Sequence, residues 1–125
     1  MAQLELLPLK EFVITLNSGE IIRGRYSPWA IKRFCDKKGL SVAQLQDRLN
    51  AENITLDDVV QTVLCAVEHK QREAGLPFKY SDFDVCEWIE EMGGFGSEDF
   101  IRLQGHAETE VEEKNSESAG ENTGY

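Results

Sequence analysis

Cations are scarce in this chain: 13 Lys+Arg stand against 23 Asp+Glu, a net charge of −10 over 125 residues. That sign argues against nonspecific attachment to nucleic acid or to anionic lipid, both of which need positive potential over a broad face. Long apolar runs are also lacking. Val63 to Val67 is far short of the roughly 20 residues that span a bilayer. Met1 to Leu9 is interrupted by Glu5 and Pro8 and has no basic residue before Lys10, so no signal peptide is expected. Histidine is down to His69 and His106, and neither Cys-x-x-Cys nor His-x-x-x-His occurs, which removes the usual zinc patterns and any expected metal or cofactor. Cys35, Cys65 and Cys86, odd in number and set among apolar residues, read as buried thiols of a reducing compartment.

What is there suffices for one small domain. Hydrophobic residues make up 41%, and a chain of this size buries roughly two-thirds of its unfolded surface. Charge divides along the sequence: residues 1–50 carry 8 basic and 5 acidic side chains, residues 51–125 carry 5 and 18. From Ala107 to Tyr125, six glutamates face Lys114 alone, and Val111 and Tyr125 are the large apolar residues. Such a segment cannot offset its ordering entropy by burial. The expected layout is a globular unit over 1–105 and a disordered acidic tail over 106–125, with the boundary near Gly105.

Phe12, Ile14 and Leu16 alternate with Val13 and Thr15 ahead of Asn17-Ser18-Gly19, and Glu20 to Tyr26 resumes the pattern. This predicts a β-hairpin over 11–26 with Gly19 at positive φ. Ser27-Pro28 then opens a helix over 28–38 that Gly39 closes. Ser41 with Gln44, and Thr55 with Asp58, are capping boxes for helices over 41–50 and 55–74. Val42, Leu45 and Leu49 share a face of the former. In the latter, Leu56, Val59, Val60, Val63, Leu64 and Val67 form the longest apolar stripe, expected at the centre of the core. Ser81, Asp82 and Asp84 open a helix over 81–92, with Val85, Trp88, Ile89 and Met92 on one side. Gly93-Gly94-Phe95-Gly96 breaks it, and 97–104 adds a short fifth helix.

No catalytic constellation emerges. His69 reads as a solvated residue at a polar helix edge and His106 as part of the tail junction. Gly94-Phe95-Gly96 follows a helix and lacks Gly-Lys-Ser/Thr, so it is a helix breaker rather than a phosphate cradle. The carboxylate pairs Asp57-Asp58 and Asp82 with Asp84 complement helix dipoles, and Glu90-Glu91 reads as a wet helix face. An enzyme is not expected. Arg23, Arg25, Lys32, Arg33, Lys37 and Lys38 form a basic patch opposed locally by Asp36 alone. With the helices on either side of Gly39 it suggests a small helix-turn-helix-like DNA-binding regulator as the alternative reading. Against that, the following helix begins with Asp57-Asp58, has no cation before Lys70, and gives the major groove little to read.

The order of pieces resembles the tail assembly chaperones of long-tailed phages, prophages and gene transfer agents. The resemblance rests on the hairpin Phe12-Val13-Ile14-Thr15-Leu16-Asn17-Ser18-Gly19, the segment Ser27 to Gly39, Leu40-Ser41-Val42 through Leu49, a long helix, and Trp88-Ile89-Glu90-Glu91, roughly residues 10–95. It implies a noncatalytic helper in the host bacterial cytoplasm that binds the tape measure protein and brings tail tube protein to it; the charge balance and the lack of a spanning run separately leave nucleic acid and membrane unexpected as partners. Trp29, Trp88, Phe95 and Phe100 are the aromatic residues expected to anchor that partner. The expected fold is α+β and mainly helical, a hairpin on four to five helices.

Overall fold

The computed structural model describes residues 1–50 and 52–107. It is an α+β, mainly helical fold in which an N-terminal sheet packs against helices. Of the expected tail, residues 106 and 107 belong to the last helix, and the remainder lies outside the described residues.

The sheet has three antiparallel strands in the order β1-β2-β3: β1 (Gln3–Leu7), β2 (Glu11–Thr15) and β3 (Ile21–Arg25). The hairpin of β2 and β3 turns through Gly19 at φ 93, as expected. β1 is the addition. Its period-2 signal is only Leu4-Glu5-Leu6, yet in register it sets Leu4 opposite Ile14 and Leu6 opposite Phe12. The inner face then reads Leu4, Ile14, Ile22 in one row and Leu6, Phe12, Gly24 in the next. Gly24 belongs to this row because the Phe12 ring occupies its side-chain space: a Cβ there would lie 2.1 Å from Phe12 Cζ. The β1–β2 turn, Pro8–Lys10, holds Leu9 and Lys10 both at φ 61, a left-handed conformation that costs a residue with a Cβ about 1–2 kcal/mol.

Each helix starts on a side-chain cap that satisfies an otherwise orphaned N–H. In α1 (Pro28–Lys38), Ser27 Oγ accepts from Ala30 N at 3.0 Å, and Gly39 at φ 67 ends the helix. Complete capping boxes open α2 (Val42–Arg48) on Ser41 and Gln44, α3 (Leu56–Glu73) on Thr55 and Asp58, and α4 (Asp82–Met92) on Ser81 and Asp84. The fifth helix, α5, runs over 98–107, with Ser97 Oγ accepting from Phe100 N.

α3 is the central element. Val59, Val60, Val63, Leu64, Ala66 and Val67 join the sheet, α4 and α5 in the main core, where Val85, Trp88, Ile89 and Met92 are buried as their spacing predicts. Leu56, in the first turn, is left 63% exposed. On its other side α3 presents Cys65 to Ala30 and Phe34 of α1, a second, smaller cluster. No helix among the described residues is long and apolar enough to cross a membrane.

Candidate functional surfaces

The basic patch is dispersed by the fold, and two of its six cations, Arg33 and Lys38, meet carboxylates that lie far away in sequence. Lys32 pairs with Asp36 at 2.8 Å within α1. Arg33 Nε reaches Oε1 of Glu68 at 3.2 Å, while Arg72 holds the other oxygen at 3.3 Å. Lys37 donates to Gln61 at 3.4 Å. Lys38 pairs with exposed Asp57 and, at 3.0 Å, with Asp58. Arg25 donates to the Leu9 carbonyl at 3.2 Å, and Arg23 is exposed on the outer face of the sheet. Asp36 is the one carboxylate within residues 23–38, and the fold adds others from outside that stretch. α1 packs along α3, so the α3 carboxylates Asp57, Asp58 and Glu68 come into its field.

Asp58 and Glu68 are themselves buried, which the reading of Asp57-Asp58 as a dipole pair did not foresee. Asp58 closes the α3 capping box, accepting from Thr55 N at 3.1 Å. It also accepts from Arg48 Nε at 2.7 Å. Burial alone would push this carboxyl up, but the Arg48, Thr55 and Lys38 donors outweigh it and hold the pKa at about 2. Burial would conversely push the Lys38 ammonium down, and the hydrogen bonds it donates to Asp57 and Asp58 carry it upward instead. The cluster thus ties α1, α2 and α3 together through one carboxylate. Its position as the fourth residue of a capping box was the available signal.

His69 is not the solvated residue expected. It is half-buried, its Nδ1 lies 2.8 Å from Ser27 Oγ, and its Nε2 is shielded 3.5 Å from Glu73 Oε2. Ser27, His69 and Glu73 form a row resembling a hydrolytic triad in composition. Ser27 is 2% exposed and its hydroxyl oxygen already caps α1, so the row fixes the start of α1 on α3 and presents no nucleophile. Beside it, Trp29 meets the His69 ring edge at 6.1 Å and carries the Arg72 guanidinium 5.2 Å from its centroid. His106 also has a structural place: its Nε2 lies 3.1 Å from the Glu11 carbonyl, joining α5 to β2.

The four aromatic residues separate. Trp88 and Phe100, expected as anchors, are 4% and 1% exposed. They are corrected to core residues, because α4 and α5 turn these side chains into the main core shared by the sheet and α3. Tyr80 stands edge-on to Trp88 at 5.0 Å, and Phe95 edge-on to Phe100 at 5.4 Å. Trp29 is half-buried and Phe95 exposed, so these two retain surface for a partner. The three thiols also separate: Cys65 is buried, its pKa pushed by burial up to about 11, Cys35 is half-buried, and Cys86 is exposed, against the expectation that all three are covered.

The surface that stands out is the second cluster. Only Ala30, Phe34 and Cys65 are fully covered there, while Trp29, Leu40, Leu45 and Leu49 are half-covered. α2 contributes no buried residue, and Val42, expected on its inner face, is 83% exposed. Comparison with protein-family models, with curated proteins and with solved structures finds no match for the chain.

Proposed function

We propose that the chain is a noncatalytic phage tail assembly chaperone, which binds the tape measure protein in the bacterial cytoplasm and assists tail tube assembly. The observation that carries this reading is the half-open apolar cluster under α2. The short helix α2 sets Leu45 and the C-cap residue Leu49 against the cluster beside Trp29 and Leu40, and all four stay only partly covered. A long helical partner exposing apolar stripes finds in such a surface a place to lay one face, read as anchors at helical spacing. Modest apolar area suits a helper that must release its client when the tube closes around it. The ion pairing of the basic patch supports the protein-binding reading over the DNA-binding regulator: Lys38 and Arg48 are turned to Asp58, and Arg33 to Glu68.

Coexpression with the tape measure protein encoded beside the chain's own gene tests this. The expected result is that the two copurify and the tape measure chain stays soluble, while Leu45→Asp and Leu49→Asp, checked for an unchanged melting curve, weaken capture at least tenfold. A tape measure chain equally insoluble with and without its neighbour overturns the chaperone reading. A salt-sensitive mobility shift with duplex DNA, abolished by Arg33→Glu, would establish the regulator instead.

A further inference from the structure

Among the described residues, two surface rows at opposite ends of the strands remain outside the ion-pair network, Arg23 with Arg25 and Glu87 with Glu90, and they carry opposite charge in the same order. At the β1–β2 end of the sheet, Leu9 is 72% exposed in its left-handed turn, and its carbonyl accepts from Arg25 Nε. Arg23 follows two residues away on the same outer face of β3, about 7 Å along the strand. Among the described residues no carboxylate pairs with either arginine. Glu11, the cross-strand neighbour of Arg25, is taken by Lys70 at 3.3 Å, and Glu5 sits two strands away from Arg23 with Val13 between them.

The other end of the strands is closed by α4. Asn17 N donates to Glu91 Oε1 at 2.7 Å, Ala2 N to the Glu91 carbonyl at 3.0 Å, and Tyr80 OH to Glu20 at 2.9 Å. The outer stripe of α4 holds Phe83, 68% exposed, then Glu87 and Glu90, both exposed, and the helix contains no cation. The nearest cation in sequence, Lys79, lies over the Tyr80 ring. Glu87 and Glu90 are one helical turn apart, about 5–6 Å between Cβ atoms. Glu90, hydrogen-bonded to Glu87, pushes the Glu87 carboxyl upward, with Glu91 and Asp84 adding to the push. An arriving cation would relieve that crowding.

We propose that these two ends dock on each other between copies of the chain, the row Leu9, Arg25, Arg23 of one molecule lying along the row Phe83, Glu87, Glu90 of the next. The occupant is a second copy because both halves of the contact are on this molecule: an apolar tip followed by two cations, and an apolar tip followed by two anions at similar spacing. The contact is heterologous, so it propagates head to tail into short chains or a ring. It is small and charge-driven, so it is weak and fades as salt is raised. It goes beyond the chaperone reading and does not depend on it.

Sedimentation of the full chain over a concentration series, at about 20 mM and about 300 mM salt, tests the proposal. The weight-average mass should rise with concentration at low salt and return to that of one chain at high salt. Arg23→Glu with Arg25→Glu, and separately Glu87→Lys with Glu90→Lys, should each remove the association. A mixture of the two doubly reversed proteins should restore association into assemblies in which the two alternate, at least tenfold tighter than either alone. The Glu87→Lys, Glu90→Lys protein has a net charge of −6 instead of −10, so its loss of association cannot come from general repulsion. Lys32→Glu with Lys37→Glu matches the charge of the arginine reversals and should leave association at least half intact. Circular dichroism melts confirm that every variant folds. A protein that stays monomeric at low salt, an equal loss in the lysine control, or a mixture that fails to reassociate overturns the proposal.

Discussion

Replacing Asp58 by Asn removes one negative charge from the junction of α1, α2 and α3 while keeping its shape. The magnitude follows from the protonation equilibrium. The carboxyl pKa falls from an ordinary 3.8 to about 2 in the fold, and at about 1.4 kcal/mol per unit the ionised form contributes about 2 kcal/mol of stability at neutral pH. A depressed folded-state pKa gives stability that is present above the unfolded value and is lost as pH falls through the folded one. The contribution should therefore be complete above about pH 5, roughly half gone near pH 3, and nearly absent at pH 2. Urea titrations of parent and Asp58→Asn across pH 2 to 7 measure it, with the difference between the proteins isolating this group from every other carboxylate. The expected penalty is about 2 kcal/mol at pH 7, rising toward 3–5 if the Lys38 and Arg48 charges find no water in the variant. A penalty that stays constant down to pH 2 would refute the account, because it would then come from packing rather than charge.

Other perturbations check other parts of the fold. Val63→Asp places a carboxylate at a position 2% exposed in the middle of α3 and should abolish cooperative thermal unfolding, since an unpaired buried charge costs several kcal/mol of a total near 5–15. Gly24→Ala drives a methyl into the Phe12 ring and should cost about 1–3 kcal/mol in urea, whereas a neutral result would mean that the β2–β3 row is misregistered. Thiol labelling followed by mass spectrometry should modify Cys86 first and Cys65 last, because the buried Cys65 thiol, pushed up to about 11, holds little thiolate at pH 8. Simultaneous labelling of all three would mean that α3 opens as readily as the surface.

Local signals transferred well and long-range ones did not. Ser27-Pro28, Ser41 with Gln44, Thr55 with Asp58 and Ser81 with Asp84 act within one turn, and each marks the helix start it predicts. The stripe Val85, Trp88, Ile89, Met92 is buried for the same reason: helical geometry alone puts those side chains on one face. β1 escaped notice because three alternating residues are too few to signal a strand, and what makes Gln3–Leu7 one is β2 lying beside it. The basic patch misled because a count along the chain sees Asp36 and misses Glu68, a partner 35 residues away that reaches Arg33 across a helix interface. Asp57 and Asp58 look alike in sequence, yet helical rotation leaves the first 60% exposed and the second completely enclosed. The half-open cluster under α2 was legible only in part: Leu45 and Leu49 sit where the periodicity puts them, and nothing in it says that the cover is incomplete.

The way Glu91 receives both Ala2 and Asn17 has a consequence for how the chain comes into being. On a ribosome the strands emerge first, and the row Phe12, Ile14 and Ile22 is ready to pair long before Trp88, Phe100 and Leu103, with which it shares a core, exist. About 80 residues separate Ile22 from Leu103, so at about 5–20 residues per second the inner face of the sheet waits for several seconds without its lid. In that interval the nascent sheet is the stickiest object the chain presents. Its edge strand β1 then carries a safeguard in Glu5, since pairing with an identical β1 in antiparallel register about that residue would set two carboxylates opposite one another.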